Sequence, residues 1–119
     1  MHLLRLLTRP LARLSANAPA KRSPEAQRAL DAETAGLVLY HLTTCPFCIP
    51  VRRIIRRLGL SIELRNTGRS ANRDELIRGG GHNQVPCLHI RGSEGAERWL
   101  YESEDIVNYL RQRFDERRA

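Results

Sequence analysis

Lysine is almost missing from this chain. Lys21 is the only one among 20 basic residues, so the formal net charge of +7 is carried by arginine. A basic balance suits nucleic acid, anionic lipid or a small acidic ligand and does not choose among them. Aromatic residues are scarce as well, with two Phe, three Tyr and one Trp making up 5% of the sequence. None is interleaved with the arginines at a regular spacing, which argues against a stacking platform for bases, and no nucleic-acid partner is expected. The chain has only three cysteines. A secreted disulfide scaffold would carry more of them, in even number and spread along the sequence. The shortage points to a reducing compartment, and the close spacing of Cys45 and Cys48 to a reactive or metal-binding pair. With 119 residues there is room for one compact domain and an appended tail, not for a second enzymatic domain.

Two regions differ in character, 1–35 and 36–119. The first opens with MHLLRLLTRPLARL, where Leu3, Leu4, Leu7, Leu11 and Leu14 fall at helical spacing with Arg5, Arg9 and Arg13 between them. That pattern is a basic amphipathic helix, kinked near Pro10. It is too short and too charged to span a bilayer, which takes about 20 predominantly apolar residues. Three readings stay open for it: a helix lying on anionic lipid, an organellar presequence, or a helix packed on the domain. Surface association and a disordered tail are favoured equally. Ser15 to Pro24 reads as a linker, after which Ser23 caps a short helix begun by Pro24 that leans on the following domain.

From Leu37 the periodicities change in a regular order. Leu37 to Leu42 is an apolar run suited to a buried strand. Pro46 to Leu58 places Val51, Ile54, Ile55 and Leu58 on one helical face with Arg52, Arg53, Arg56 and Arg57 opposite, facing solvent, and Gly59 closes it. The proline at position 50 predicts a small distortion early in this helix. Leu60 to Asn66 alternates as a strand, Asn72 to Arg78 makes a short helix ended by Gly79, Gly80 and Gly81, and Cys87 to Arg91 and Glu97 to Tyr101 form a hairpin. Ser103 caps a last helix whose inner face is Ile106, Tyr109, Leu110 and Phe114. The βαβαββα order predicts an α/β fold, a four-stranded mixed sheet flanked by helices on both faces, with an N-terminal basic helical extension.

Thr44-Cys45-Pro46-Phe47-Cys48 falls between the first strand and the following helix. Cys45 then takes the cap position and Pro46 the first helical position, where its missing N–H costs nothing. The free amides and the positive end of the helix dipole favour a thiolate at Cys45. Cys48, less than a turn away, can close an intramolecular disulfide and expel a bound thiol. A zinc site is the competing reading of such a pair. It needs four ligands, and the chain offers only Cys87, His41, His82 and His89 in addition, without a second paired motif, so no metal is expected. Cys87 reads as a small buried strand residue, with a place beside the active disulfide or a ligand role as the alternative. The three histidines read as structural or exposed.

Cys45-Pro46-Phe47-Cys48 after a strand, then Gln84-Val85-Pro86, then Tyr101-Glu102-Ser103 at the last helix, resembles the glutaredoxin family and the related N-terminal domain of glutathione transferases. The resemblance covers Leu37 to Phe114 and implies a thioredoxin-like (glutaredoxin) fold. It further implies that glutathione is the cosubstrate, with Val85 and the cis-proline Pro86 pairing with its cysteinyl part. Glu102 and Ser103 would hold the γ-glutamyl carboxylate at the helix start, with Glu104 reaching its ammonium. Many glutaredoxins have a lysine three positions before the first cysteine, where this chain has Leu42; Arg69, Arg73 or Arg78 would have to substitute. The Glu-Ser form is typical of transferases, yet a transferase needs a following all-helical domain and the sequence stops at Ala119.

The expected function is therefore a glutathione-dependent thiol-disulfide oxidoreductase. Cys45 and Cys48 are its catalytic pair, and disulfide-containing or glutathionylated proteins are its partners. A glutathione-bound iron-sulfur cluster carrier and a membrane-surface adaptor are the alternatives. The expected protein is a monomer, cytoplasmic or attached to an anionic membrane, and mitochondrial if the leader is a presequence.

Overall fold

The computed structural model describes residues 21–92 and 95–115. The basic helix expected at the start and most of the expected linker lie outside these residues. Helix α1 spans Pro24–Thr34 and begins as anticipated: Ser23 is extended and its hydroxyl accepts the Ala26 amide at 3.1 Å, with Pro24 in the first turn. Leu30 enters the core, while Gln27 donates to the Gly59 carbonyl and Ser61 to Asp31, so the helix is fastened to the chain that follows. Ser23→Ala is expected to destabilise the protein by about 1 kcal/mol, since it leaves an N-terminal amide uncapped. A urea midpoint unchanged at constant slope would show the cap to be idle.

Strand β1 (Leu37–His41) is buried along its whole length. It pairs parallel with β2 (Glu63–Asn66) and antiparallel with β3 (Cys87–Arg91), which pairs antiparallel with β4 (Glu97–Leu100), giving the order β2-β1-β3-β4. Strand β2 is shorter than the alternation of Leu60 to Asn66 suggested. The Leu60 amide is taken by the Ile55 carbonyl, and Gly59, at φ 67°, bonds to Arg56, so both residues finish the preceding helix. Leu60 and Ile62 are buried all the same.

Because strand side chains alternate, β1 and β3 feed two cores. Leu37, Leu39, Leu88 and Ile90 face one side with Leu30 of α1. They meet Val51, Ile54 and Ile55 of helix α2 (Ile49–Arg57) and Ile106, Leu110 and Phe114 of helix α4 (Ser103–Phe114). On the other side Val38, Tyr40 and Cys87 pack with Leu76 of helix α3 (Ser70–Gly80), backed by Val85, Trp99 and Tyr101. Helices cover both faces, as expected.

Helix boundaries also depart from the sequence reading, and α3 starts at Ser70, ahead of the expected Asn72. The expected single helix from Pro46 is a 3₁₀ turn, Pro46–Cys48, followed by α2. Pro50 has no amide to give to the Pro46 carbonyl, which takes the Ile49 amide instead. Helix α3 runs through Gly79 and Gly80 and stops at Gly81, whose φ of 94° makes the left-handed cap. At α4 the cap position is Glu102, extended and without a side-chain capping bond, so Ser103 is the first helical residue and not the cap.

Candidate active site

The carboxyl end of β1 leads into a tight loop. The Cys45 amide returns to the Leu42 carbonyl at 3.2 Å and the Cys48 amide to the Cys45 carbonyl at 3.1 Å, which starts the 3₁₀ turn and sets Cys45 at its cap. Cys45 is half-buried, and its sulfur lies 4.0 Å from the Val85 carbonyl oxygen. The Val85-Pro86 peptide bond is cis. Cys48 is fully buried behind it. Burial pushes its thiol up, partly offset by a hydrogen bond with the Leu42 backbone, and contact with the Cys45 sulfur pushes it further. Both thiols are free. The pair is asymmetric, one sulfur open and one withheld from water.

Two apolar side chains stand exposed in the cysteine segment. Phe47, between the two cysteines, is 67% exposed, and Ile49 is exposed as well. Ser103 and Glu104 line a groove of about 350 Å³ with Pro50, Val107, Asn108 and Arg111. Pro50 stands two residues beyond Cys48, so the groove starts at the cysteine end of α2. Glu102, exposed at the α4 cap, does not line it. The structure thus brings Cys45, Cys48 and Val85 together and sets Ser103 and Glu104 on an adjoining groove.

Of the three arginines considered as lysine substitutes, Arg69 sits at the cap of α3. Its loop abuts the cysteine loop through the Asn66 amide, 3.5 Å from the Thr43 hydroxyl. Arg73 is one turn further on, and Arg78 is in the last turn of the helix.

Sequence reasoning named Arg52 as a source of positive potential but placed it wrongly. Expected at the solvent face of α2, it turns back under the loop. Its guanidinium donates to the Leu42 carbonyl at 3.0 Å and the Thr43 carbonyl at 3.1 Å, and stands 3.3 Å from His41 Nδ1. A helical face of four arginines gives no sign of which one turns inward. His41 is buried, and burial, then the neighbouring guanidinium, holds its pKa below the usual imidazole value.

Cys87 is the buried strand residue anticipated. Desolvation pushes its thiol up to about 12, against a hydrogen bond with Tyr101 that lowers it. The Tyr101 hydroxyl proton goes to the His82 carbonyl at 3.1 Å. His89 stacks on Trp99 with ring centroids 3.8 Å apart. Among the described residues no three His, Cys, Asp or Glu side chains are grouped as a metal would need.

A four-stranded mixed sheet covered on both faces, with Cys-x-x-Cys at a helix start opposite a cis-proline turn, defines a thioredoxin-like domain. The family model of the glutathione S-transferase N-terminal domain matches residues 39–118, and the chain belongs to that family. No curated protein sequence matches the chain. Among solved structures, a trimeric glutathione transferase from Leishmania is 27% identical with a TM-score of 0.55, over 67% of this chain and 18% of that one. Maleylacetoacetate isomerase from Anaeromyxobacter dehalogenans 2CP-1, solved with bound glutathione, is 26% identical with a TM-score of 0.51, over 67% of this chain and 38% of that one. A wheat glutaredoxin is 22% identical with a TM-score of 0.48, over 75% and 84%. This chain therefore spans well under half the length of the first two.

Proposed function

We propose that this protein is a glutathione-dependent thiol-disulfide oxidoreductase acting on disulfides or protein-glutathione mixed disulfides. The observation that carries the reading is the asymmetric pair: an open Cys45 sulfur 4.0 Å from the Val85 carbonyl, with the Cys48 thiol buried against it. Glutathione as the cosubstrate is supported by the isomerase relative that binds it. A glutathionyl cysteine lying along the Val85 backbone would bring its sulfur to Cys45.

The chemistry balances without a further oxidant. The Cys45 thiolate attacks the glutathionyl sulfur of a mixed disulfide, forming Cys45–S–S–glutathione while the protein thiolate leaves and takes a proton. A second glutathione thiolate then attacks the glutathionyl sulfur, releasing glutathione disulfide and restoring Cys45. In the alternative branch Cys48 loses its proton and attacks the Cys45 sulfur, expelling glutathione and closing an internal disulfide that two glutathiones later reduce. Because burial keeps Cys48 protonated, this branch should speed up as the pH rises.

The test is steady-state reduction of a glutathionylated peptide with glutathione varied. A ping-pong pattern is expected, and an absence of turnover would overturn the reading. Cys48→Ser should keep turnover on the mixed disulfide within about threefold of wild type, since the second glutathione replaces it. It should lose reduction of a dithiol-linked protein disulfide, where an internal resolving thiol is needed.

A further inference from the structure

We propose that Arg52 is the positioning residue of the cysteine loop, a fork that locks Leu42 and Thr43 so that the Cys45 sulfur is held at the Val85 carbonyl. The proposal rests on the oxidoreductase reading for its importance to catalysis, though the geometry stands apart from it. Loop 42–45 contributes no strand pairing beyond His41, whose carbonyl accepts the Thr67 amide at 2.9 Å. Two carbonyls of that loop point to one guanidinium, which comes from the first turn of α2 that follows the cysteines. The loop is thereby closed on the helix it feeds, with Cys45 inside the closed segment. No carboxylate competes, since Arg52 has no ion-pair partner among the described residues.

His41 completes the fork and makes it sensitive to acid. A guanidinium has only donors, so the contact at 3.3 Å requires the Nδ1 lone pair, and the ring proton must sit on Nε2. Protonating His41 removes that lone pair and puts a second positive charge beside Arg52. No carboxylate is paired with His41 among the described residues to absorb it; the charged group acting on the buried ring is the Arg52 guanidinium. The fork is intact with His41 neutral and is opposed once His41 takes a proton.

The experiment compares full-length wild type, Arg52→Ala, Arg52→Lys and His41→Asn. It measures exchange with a glutathionylated peptide, and alkylation of Cys45 by iodoacetamide in a Cys48→Ser, Cys87→Ser background, from about pH 5 to 8. Arg52→Ala should slow both reactions by roughly tenfold or more, because a displaced nucleophile loses its near-attack geometry. Arg52→Lys should not restore them, as one ammonium cannot span two carbonyls and an imidazole. The acid limb of wild type should be steeper than a one-proton curve, and that of His41→Asn, which keeps an acceptor that does not titrate, should be a one-proton curve.

Wild-type rates in Arg52→Ala, or full restoration by lysine, would overturn the proposal, the second outcome assigning the effect to charge alone. If Arg52→Ala fails to fold, Arg52→Lys and His41→Asn carry the comparison. Should wild type prove inactive on the peptide while the alkylation rates still separate, the oxidoreductase reading falls and the positioning role stands.

Discussion

Cys45→Ser is expected to lose exchange with glutathione mixed disulfides by roughly a thousandfold or more, the largest effect of any single substitution in this protein. A serine hydroxyl is far from ionised near neutral pH, and its oxygen cannot form the sulfur-sulfur bond on which both halves of the cycle depend. Cys48 cannot take over the first step. Its sulfur is fully buried, and desolvation keeps it protonated, so an incoming disulfide would have to displace the 3₁₀ turn to reach it. Folding should be nearly unaffected, because Cys45 is half-buried and its sulfur meets the backbone through a long contact, 4.0 Å to the Val85 carbonyl. The variant therefore separates chemistry from stability. A coupled assay should read background turnover from a protein with the wild-type melting temperature. Exchange at the wild-type rate by Cys45→Ser would mean that the open sulfur is not the nucleophile.

The parts of this architecture that depend on local sequence are legible in the residues themselves. Strand β1 is a short apolar run, α2 presents Val51, Ile54 and Ile55 at helical spacing, and Ser23 with Pro24 starts α1. Periodicity and capping chemistry are enough for these. The cysteine pair was legible from its spacing between a strand pattern and a helical one, although Pro46 opens a 3₁₀ turn and α2 itself starts at Ile49. Features set by long-range contacts were not. The inward turn of Arg52 depends on carbonyls ten and nine residues away, and the four arginines of α2 look alike in sequence. The start of β2 was misjudged because Leu60 and Ile62 are apolar and buried in either case, while the Leu60 amide is claimed by the helix end. Ser103 was misplaced by one position because Glu102 and Ser103 can each stand at a cap, and only the backbone angles separate them.

Gly79→Ala reverses the sign that helix propensity would give, and with it the meaning of the three consecutive glycines. In an ordinary helix the exchange stabilises by about 1 kcal/mol, because alanine loses less backbone freedom on folding. Here Gly79 lies inside α3, and a Cβ built on it collides with the six-membered ring of Trp99. That ring has little freedom to retreat. It is stacked on His89 at 3.8 Å and sits 5.8 Å from the Tyr40 ring, and Tyr40 is itself tied to Glu75 of α3 by a hydrogen bond of 3.1 Å. Gly80 is constrained in the same way by the Tyr101 hydroxyl, which the His82 backbone holds from both its amide and its carbonyl. The glycines are thus the contact surface through which α3 approaches β4, and only Gly81 ends the helix. Overpacking of this kind costs about 1–3 kcal/mol, enough to outweigh the propensity gain. Gly79→Ala should therefore unfold at lower urea with an unchanged slope. Trp99 fluorescence, the protein having one tryptophan, should report the displaced ring directly. A variant more stable than wild type would show that α3 can slide off Trp99 without loss. The Tyr40, Leu76 and Cys87 side of the sheet would then be much looser than its burial implies.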